Sequence, residues 1–139
     1  MQCGQTVVVV DASVVVVALA DDERDGDAVR ERLAGERLAA PDLLNLEVLS
    51  VLRRHLAAGR LLERRAALAL ADLIDLPIER VPTLTLLPDC WKRRDNLTIY
   101  DAAYAALARW LDAPLLTGDA KLAHSPGLDC EVELLRFAR

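Results

Sequence analysis

Cysteine, histidine, aromatic residues and positive charge are all scarce in this chain, and each scarcity removes a class of function. Cys3, Cys90 and Cys130 are widely spaced, form no CxxC pair, and have only His55 and His124 to complete a metal set. They are expected to be incidental thiols rather than a disulfide framework or a zinc site. Phe137, Trp91, Trp110, Tyr100 and Tyr104 make up 4% of the residues, too few for a platform on which a single-strand-binding protein stacks successive bases. Lys and Arg number 17 against 22 Asp and Glu, a formal net charge of −5. That balance argues against a general nucleic-acid coat, whose affinity rests on cationic contacts to phosphate. It leaves room for a nuclease whose acids are neutralised by bound metal. Arg residues still cluster locally, at Arg53/Arg54, Arg64/Arg65 and from Lys92 to Arg94.

Long uninterrupted apolar runs are missing too. The stretch from Val7 to Ala20 is broken by Asp11 and Ser13 and falls short of the roughly 18 to 20 apolar residues that a membrane span needs. Met1 to Thr6 contains no Lys or Arg, so the basic region of a secretory signal is lacking. The expectation is a cytoplasmic protein with no membrane contact. With 139 residues, no Pro/Gly/Ser-rich linker and no fixed-period repeat, residues 1–139 read as one domain able to bury a core.

The pattern of elements is that of an α/β protein. Val7 to Val10 is a β-branched run typical of a buried strand, and Asp11 to Ser13 can cap a helix reaching about Ala20. A helix over Asp25 to Gly35 and a short strand over Arg37 to Ala40 follow, the latter ended by Pro41. Asp42 is placed to cap a helix to roughly Ala58, and another spans about Leu61 to Asp75. Ile78 to Val81 reads as a strand, then helices cover about Leu84 to Arg94 and Ile99 to Asp112. Strand Leu115 to Thr117, a helical turn from Ala120 and a last strand near Glu131 to Leu135 complete the chain. Strands alternating with helices predict a parallel sheet covered on both faces.

Four acids stand out against this apolar background: Asp11 in VVVVDAS, Glu47 in LLNLEVLSVL, Asp101 in NLTIYDAAYAAL and Asp119 in PLLTGDAKLA. An ionised carboxylate taken out of water costs several kcal/mol unless it is paired or binds a cation. In open parallel sheets, ligands gather beyond the carboxyl ends of the strands. Asp11 and Asp119 follow strands there, and Glu47 and Asp101 lie in helix-opening turns that return to the same edge. Each has an ordinary structural explanation to weigh. Asp11 and Asp119 can cap helices, and Asp101 completes the capping-box pattern Thr98-Ile99-Tyr100-Asp101. Glu47 has no such role, because Asp42 already caps its helix, and its neighbours Leu43, Leu44 and Val51 place it with the apolar stripe. Ser13 and Thr117 carry hydroxyls beside the acids, suited to orienting a carboxylate or a metal-bound water. Arg54 lies two turns beyond Glu47, about 10 Å along the axis, and is a candidate to flank the site and meet a phosphate. Lys121 reads as a solvated charge or a substrate contact.

On these four motifs, in this order, the chain resembles the PIN-domain ribonucleases, and in particular the VapC-type toxins of bacterial toxin–antitoxin pairs. The resemblance covers nearly the whole sequence. It implies a PIN-like three-layer α/β/α sandwich with a central parallel sheet and Mg²⁺ or Mn²⁺ as cofactor. It also implies RNA as substrate, products with 5′-phosphate and 3′-hydroxyl ends, a homodimer, and a cognate VapB-type antitoxin. Asp11, Glu47, Asp101 and Asp119 then become the catalytic, metal-holding residues. The main alternative is a catalytically silent PIN-like binding module acting through its partner. Receiver domains and haloacid-dehalogenase-type phosphatases are poorer matches, since the first wants an acidic pair after its first strand and the second wants Asp at position 13, which is Ser.

Overall fold

Strand β1 (Val7–Val10) is built from four valines, whose branched Cβ atoms suit a pleated, two-sided burial. It is the central strand of the sheet in the computed structural model, which describes residues 6–137. Helix α1 (Ala12–Ala20) follows at once, then α2 (Arg24–Leu33), β2 (Arg37–Pro41), α3 (Leu44–Ala57), α4 (Glu63–Asp75) and β3 (Ile78–Val81). A 3₁₀ turn (Thr83–Leu86) leads into α5 (Leu87–Lys92), and α6 (Ile99–Leu111), β4 (Leu115–Thr117), α7 (Ala120–Ala123) and β5 (Val132–Leu134) complete the described order.

The five strands form one sheet in the order β3-β2-β1-β4-β5, and every neighbouring pair is parallel. The order reverses direction at β1, because the chain first winds outward through β2 and β3 and then returns to add β4 on the other side. Right-handed crossovers put α1 to α4 on one face and α5 to α7 on the other. This is the expected three-layer arrangement, with its switch point between β1 and β4, where crevices for ligands open.

Helix α6 carries Ala102, Ala103, Ala105, Ala106 and Ala108, all buried with Leu107. Small side chains let its backbone lie close against the sheet, where it touches β1, β2 and β4. It ends at Asp112 in the left-handed conformation, φ 51°. The core below it is aliphatic, centred on Val8, Val9, Val10, Leu115 and Leu116.

Some boundaries differ from the sequence expectation. Asp42 does not cap α3: its Oδ1 accepts instead from the Thr83 backbone N at 3.2 Å, tying the end of β2 to the turn after β3. Helix α3 therefore opens at Leu43 without a side-chain cap. The single helix expected over Leu84 to Arg94 divides into the 3₁₀ turn and the short α5, because Pro88 suits only a first helical turn. Cys3 lies outside the described residues; Cys90 and Cys130 are both free thiols. No helix among the described residues is long and apolar enough to cross a membrane.

Candidate functional site

Asp11 leaves β1 in an extended conformation and becomes the N-cap of α1. Its Oδ1 accepts from the Val14 backbone N at 3.2 Å and from the Ser13 hydroxyl at 2.6 Å. Its Oδ2 accepts from the hydroxyl of Thr117, at the end of the neighbouring strand β4. Ser13 Oγ in turn accepts from the Gly118 N at 2.9 Å, and Thr117 Oγ1 accepts from the Asp119 N at 3.0 Å. The ends of β1 and β4 are thus laced together by the two hydroxyls that the sequence sets beside the acids. Asp119 then caps α7, its Oδ1 accepting from the Lys121 N at 2.9 Å and the Leu122 N at 3.4 Å.

The other two acids arrive from opposite layers. Glu47 stands half-buried in the first turn of α3. Its Oε1 accepts from the hydroxyl of Tyr104 on α6 at 2.6 Å. Asp101 opens α6, where Thr98 is the N-cap and its Oγ1 accepts from the Asp101 N at 3.1 Å.

Electrostatics show how near these groups are. Burial pushes the Asp11 carboxyl above the ordinary carboxylate range, against the hydrogen bonds of Ser13, Thr117 and Val14, and the charge of Asp119 pushes it further. Burial likewise raises Glu47, partly offset by Tyr104, with Asp101 and Asp11 adding like-charge repulsion. Asp101 is raised by burial and by Asp119, and lowered by Thr98 and by the Lys121 ammonium. The Tyr104 hydroxyl is held firmly protonated, first by burial, then by its bond to Glu47 and the charges of Glu47, Asp11 and Asp101. Glu47, Asp11 and Asp101 thus act on this tyrosine, and Asp119 acts on Asp11 and Asp101.

Among the described residues no three His, Cys, Asp or Glu side chains already form a set able to hold an ion. The donors nonetheless fit a hard divalent cation in kind. They are all carboxylates, they repel one another, and none of the four makes a salt bridge among the described residues. Asp11, only 6% exposed, is the clearest case, for a buried carboxylate without a cationic partner is costly.

Arg54 is exposed on α3 and makes no salt bridge to the four acids among the described residues. It lies instead near His55, whose pKa is lowered by burial and by the charges of Arg60 and Arg54. Lys121 is closer to the site than its exposure suggests, since its charge is felt at Asp101. Tyr104 is the residue that sequence reasoning missed. Its signal was a lone large polar-tipped side chain inside an alanine-rich segment, three residues after Asp101 and so on the same helical face.

The family model described as PIN domain matches residues 8–128, a span that takes in all four acids. This chain belongs to the PIN-domain family. The PIN domain here is 44% identical over 129 residues to Ribonuclease VapC1 of Mycobacterium tuberculosis, covering 92% of this chain and 97% of that protein. Among solved structures it resembles a protein of Pyrobaculum aerophilum with a TM-score of 0.64 at 21% identity, covering 91% of this chain and 83% of that one. It also resembles VapBC-5 of M. tuberculosis, a member of the VapBC family of toxin-antitoxin systems, with a TM-score of 0.55 at 24% identity, covering 94% and 98%. At these identities the structural likeness speaks for the PIN fold.

Proposed function

We propose that this PIN domain, spanning the chain as a single unit, is a metal-dependent endoribonuclease of VapC type. It hydrolyses RNA phosphodiester bonds and is inhibited by a cognate VapB-type antitoxin. The observation that carries this reading is that Asp11, Glu47 and Asp101, from β1, α3 and α6, all act on the buried Tyr104 hydroxyl, with Asp119 acting on Asp11 and Asp101, and that none of the four makes a salt bridge among the described residues. The 44% identity to a protein named a ribonuclease supports the activity, and the likeness to a VapBC protein supports the antitoxin.

Asp11, Glu47, Asp101 and Asp119 are the residues that hold the cation, Mg²⁺ or Mn²⁺. When bound, such an ion lowers the pKa of the attacking water and stabilises charge on the scissile phosphate and leaving oxygen. Ser13 and Thr117 fix the Asp11 carboxylate, so that its oxygens are presented in one orientation rather than sampling rotamers. Asp119 is exposed and Asp11 is buried, which leaves the cluster open on the Asp119 side to an incoming strand. Arg54 on α3, with Arg60 in the turn beyond it, offers positive charge to RNA phosphates that extend past the cleaved bond. No Cys or His acts as nucleophile in this scheme.

A cytoplasmic location belongs to the same reading. A homodimer is part of the same reading, and the apolar side chains that α3 and α4 expose, Leu46, Leu68 and Ile74, are of the kind a partner protomer covers.

The deciding experiment is incubation of the purified protein with total RNA and Mg²⁺ or Mn²⁺, beside an Asp101→Ala control, with cleavage sites mapped. Cuts made by the parent and absent from the control support the nuclease. Intact RNA in both, with antitoxin binding retained, supports a silent binding module instead.

A further inference from the structure

The bond between Tyr104 and Glu47 joins the two helical layers across the rim of the sheet, α6 on one face and α3 on the other. Tyr104 is 2% exposed and lies within the run of buried alanines, so its ring cannot swing away without opening the packing of α6 on the sheet. Its hydroxyl is therefore a fixed donor, 2.6 Å from Oε1 of Glu47. Glu47, by contrast, sits on a helix whose start has no side-chain cap and carries a flexible side chain that would otherwise be free to turn to solvent. Its second oxygen, Oε2, has no hydrogen-bond donor among the described residues. The charges of Glu47, Asp11 and Asp101 act on the tyrosine hydroxyl, so three of the four acids are within electrostatic reach of the bond.

We propose that Tyr104 is a positioning residue for Glu47: its hydroxyl clamps Oε1 against α6 and thereby holds Oε2 toward the space shared with Asp11 and Asp101, where a divalent cation binds. This rests on the metal-holding role of the four acids. It adds that the site is set by a contact between layers rather than by α3 alone. Hydrogen-bond partners of metal-holding carboxylates typically carry about 10- to 100-fold of metal affinity.

Tyr104→Phe removes the hydroxyl and leaves the ring, and Mn²⁺ binding to the full chain is measured by calorimetric titration without RNA. The expected result is Mn²⁺ affinity weakened roughly tenfold or more, with far-UV circular dichroism unchanged. The melting temperature in EDTA should stay close to that of the parent while the rise on adding Mn²⁺ shrinks, a response that a purely structural role would not produce. In a Glu47→Ala background, Tyr104→Phe should cause no further loss, because the group it holds is gone. Unchanged Mn²⁺ affinity in Tyr104→Phe, or an equal loss in the Glu47→Ala background, overturns the positioning role while leaving the metal site standing. Failure of the parent itself to bind Mn²⁺ overturns the metal site, and this role with it. Should Tyr104→Phe prove unfolded, Glu47→Gln tests the same contact: with its amide oxygen held by the Tyr104 hydroxyl it turns an NH2, which cannot ligate a cation, toward the site, so it should bind Mn²⁺ no better than Glu47→Ala, and clearly tighter binding than Glu47→Ala counts against the clamp.

Discussion

Thr117 donates its hydroxyl to Oδ2 of Asp11 and accepts the backbone N of Asp119, so one side chain on β4 fixes both an acid at the end of β1 and the one that follows its own strand. The hydroxyl is fully buried.

Thr117→Val keeps the shape of the side chain and deletes that link. It leaves a buried carboxylate oxygen without a donor and the Asp119 N without an acceptor, at a cost of about 1–3 kcal/mol. Urea denaturation in EDTA should show this loss, and RNA cleavage should fall with it. Thr117→Ser, which retains the hydroxyl, should recover most of the cleavage; if it fared no better than valine, packing rather than the hydrogen bond would be responsible.

Asp101→Ala and Glu47→Ala should each abolish metal-dependent RNA cleavage. Asp101→Ala should do so with stability in EDTA unchanged to within about 1 kcal/mol, or raised, because the carboxylate removed is half-buried and crowded by Asp119. A gel assay of cleavage with parallel melting curves checks both. Parent-like cleavage by either variant would remove that residue from the mechanism.

Stability should depend on pH in a direction set by Asp11, Glu47 and Asp101. Burial first, then mutual repulsion, raises all three above their ordinary values. In the metal-free fold they therefore keep protons that the unfolded chain has already released. Their contribution is fully favourable only below about pH 4 and is lost as pH rises through each folded pKa. Asp22, Asp129 and Glu133, lowered by their arginine partners, act the opposite way, but at and below the ordinary carboxylate range. Mn²⁺ relieves the crowding of ionised acids, so its effect on melting temperature should be larger near about pH 7.5 than near about pH 5. Equal shifts at the two pH values, seen by calorimetry, would contradict this.

Gly26 offers a test of the fold away from the site. A Cβ there would lie 1.8 Å from the Asp21 carbonyl oxygen, and the Gly26 N donates to Asp21 Oδ1 at 3.0 Å. The corner between α1 and α2 admits no side chain. Gly26→Ala should cost roughly 1–3 kcal/mol or more, since backbone must move to accommodate it, and the midpoint of urea unfolding should fall accordingly. An unchanged midpoint would mean that the corner yields freely.

The order of elements was legible because local chemistry suffices for it. Four consecutive valines make a buried strand, glycines with positive φ at Gly35 and Gly59 stop helices, and the alternation of strand and helix leaves a parallel sheet as the outcome. The four acids were legible for a related reason, since each interrupts an apolar stretch at a strand end or a helix start. Asp42 was misread because a capping residue is recognised by type and position alone, whereas its oxygen was claimed by Thr83, 41 residues away.

What the chain carries in its own order of residues is thus the strand and helix periodicity, the parallel topology and the identity of the acids, all short-range properties. Only the packed molecule decides that β4 lies beside β1, so that Thr117 reaches Asp11, and that Tyr104 on one layer reaches Glu47 on the other. Those contacts join residues 106 and 57 positions apart. Such pairs are chosen by how helices of particular bulk settle on the sheet, and no local pattern encodes that.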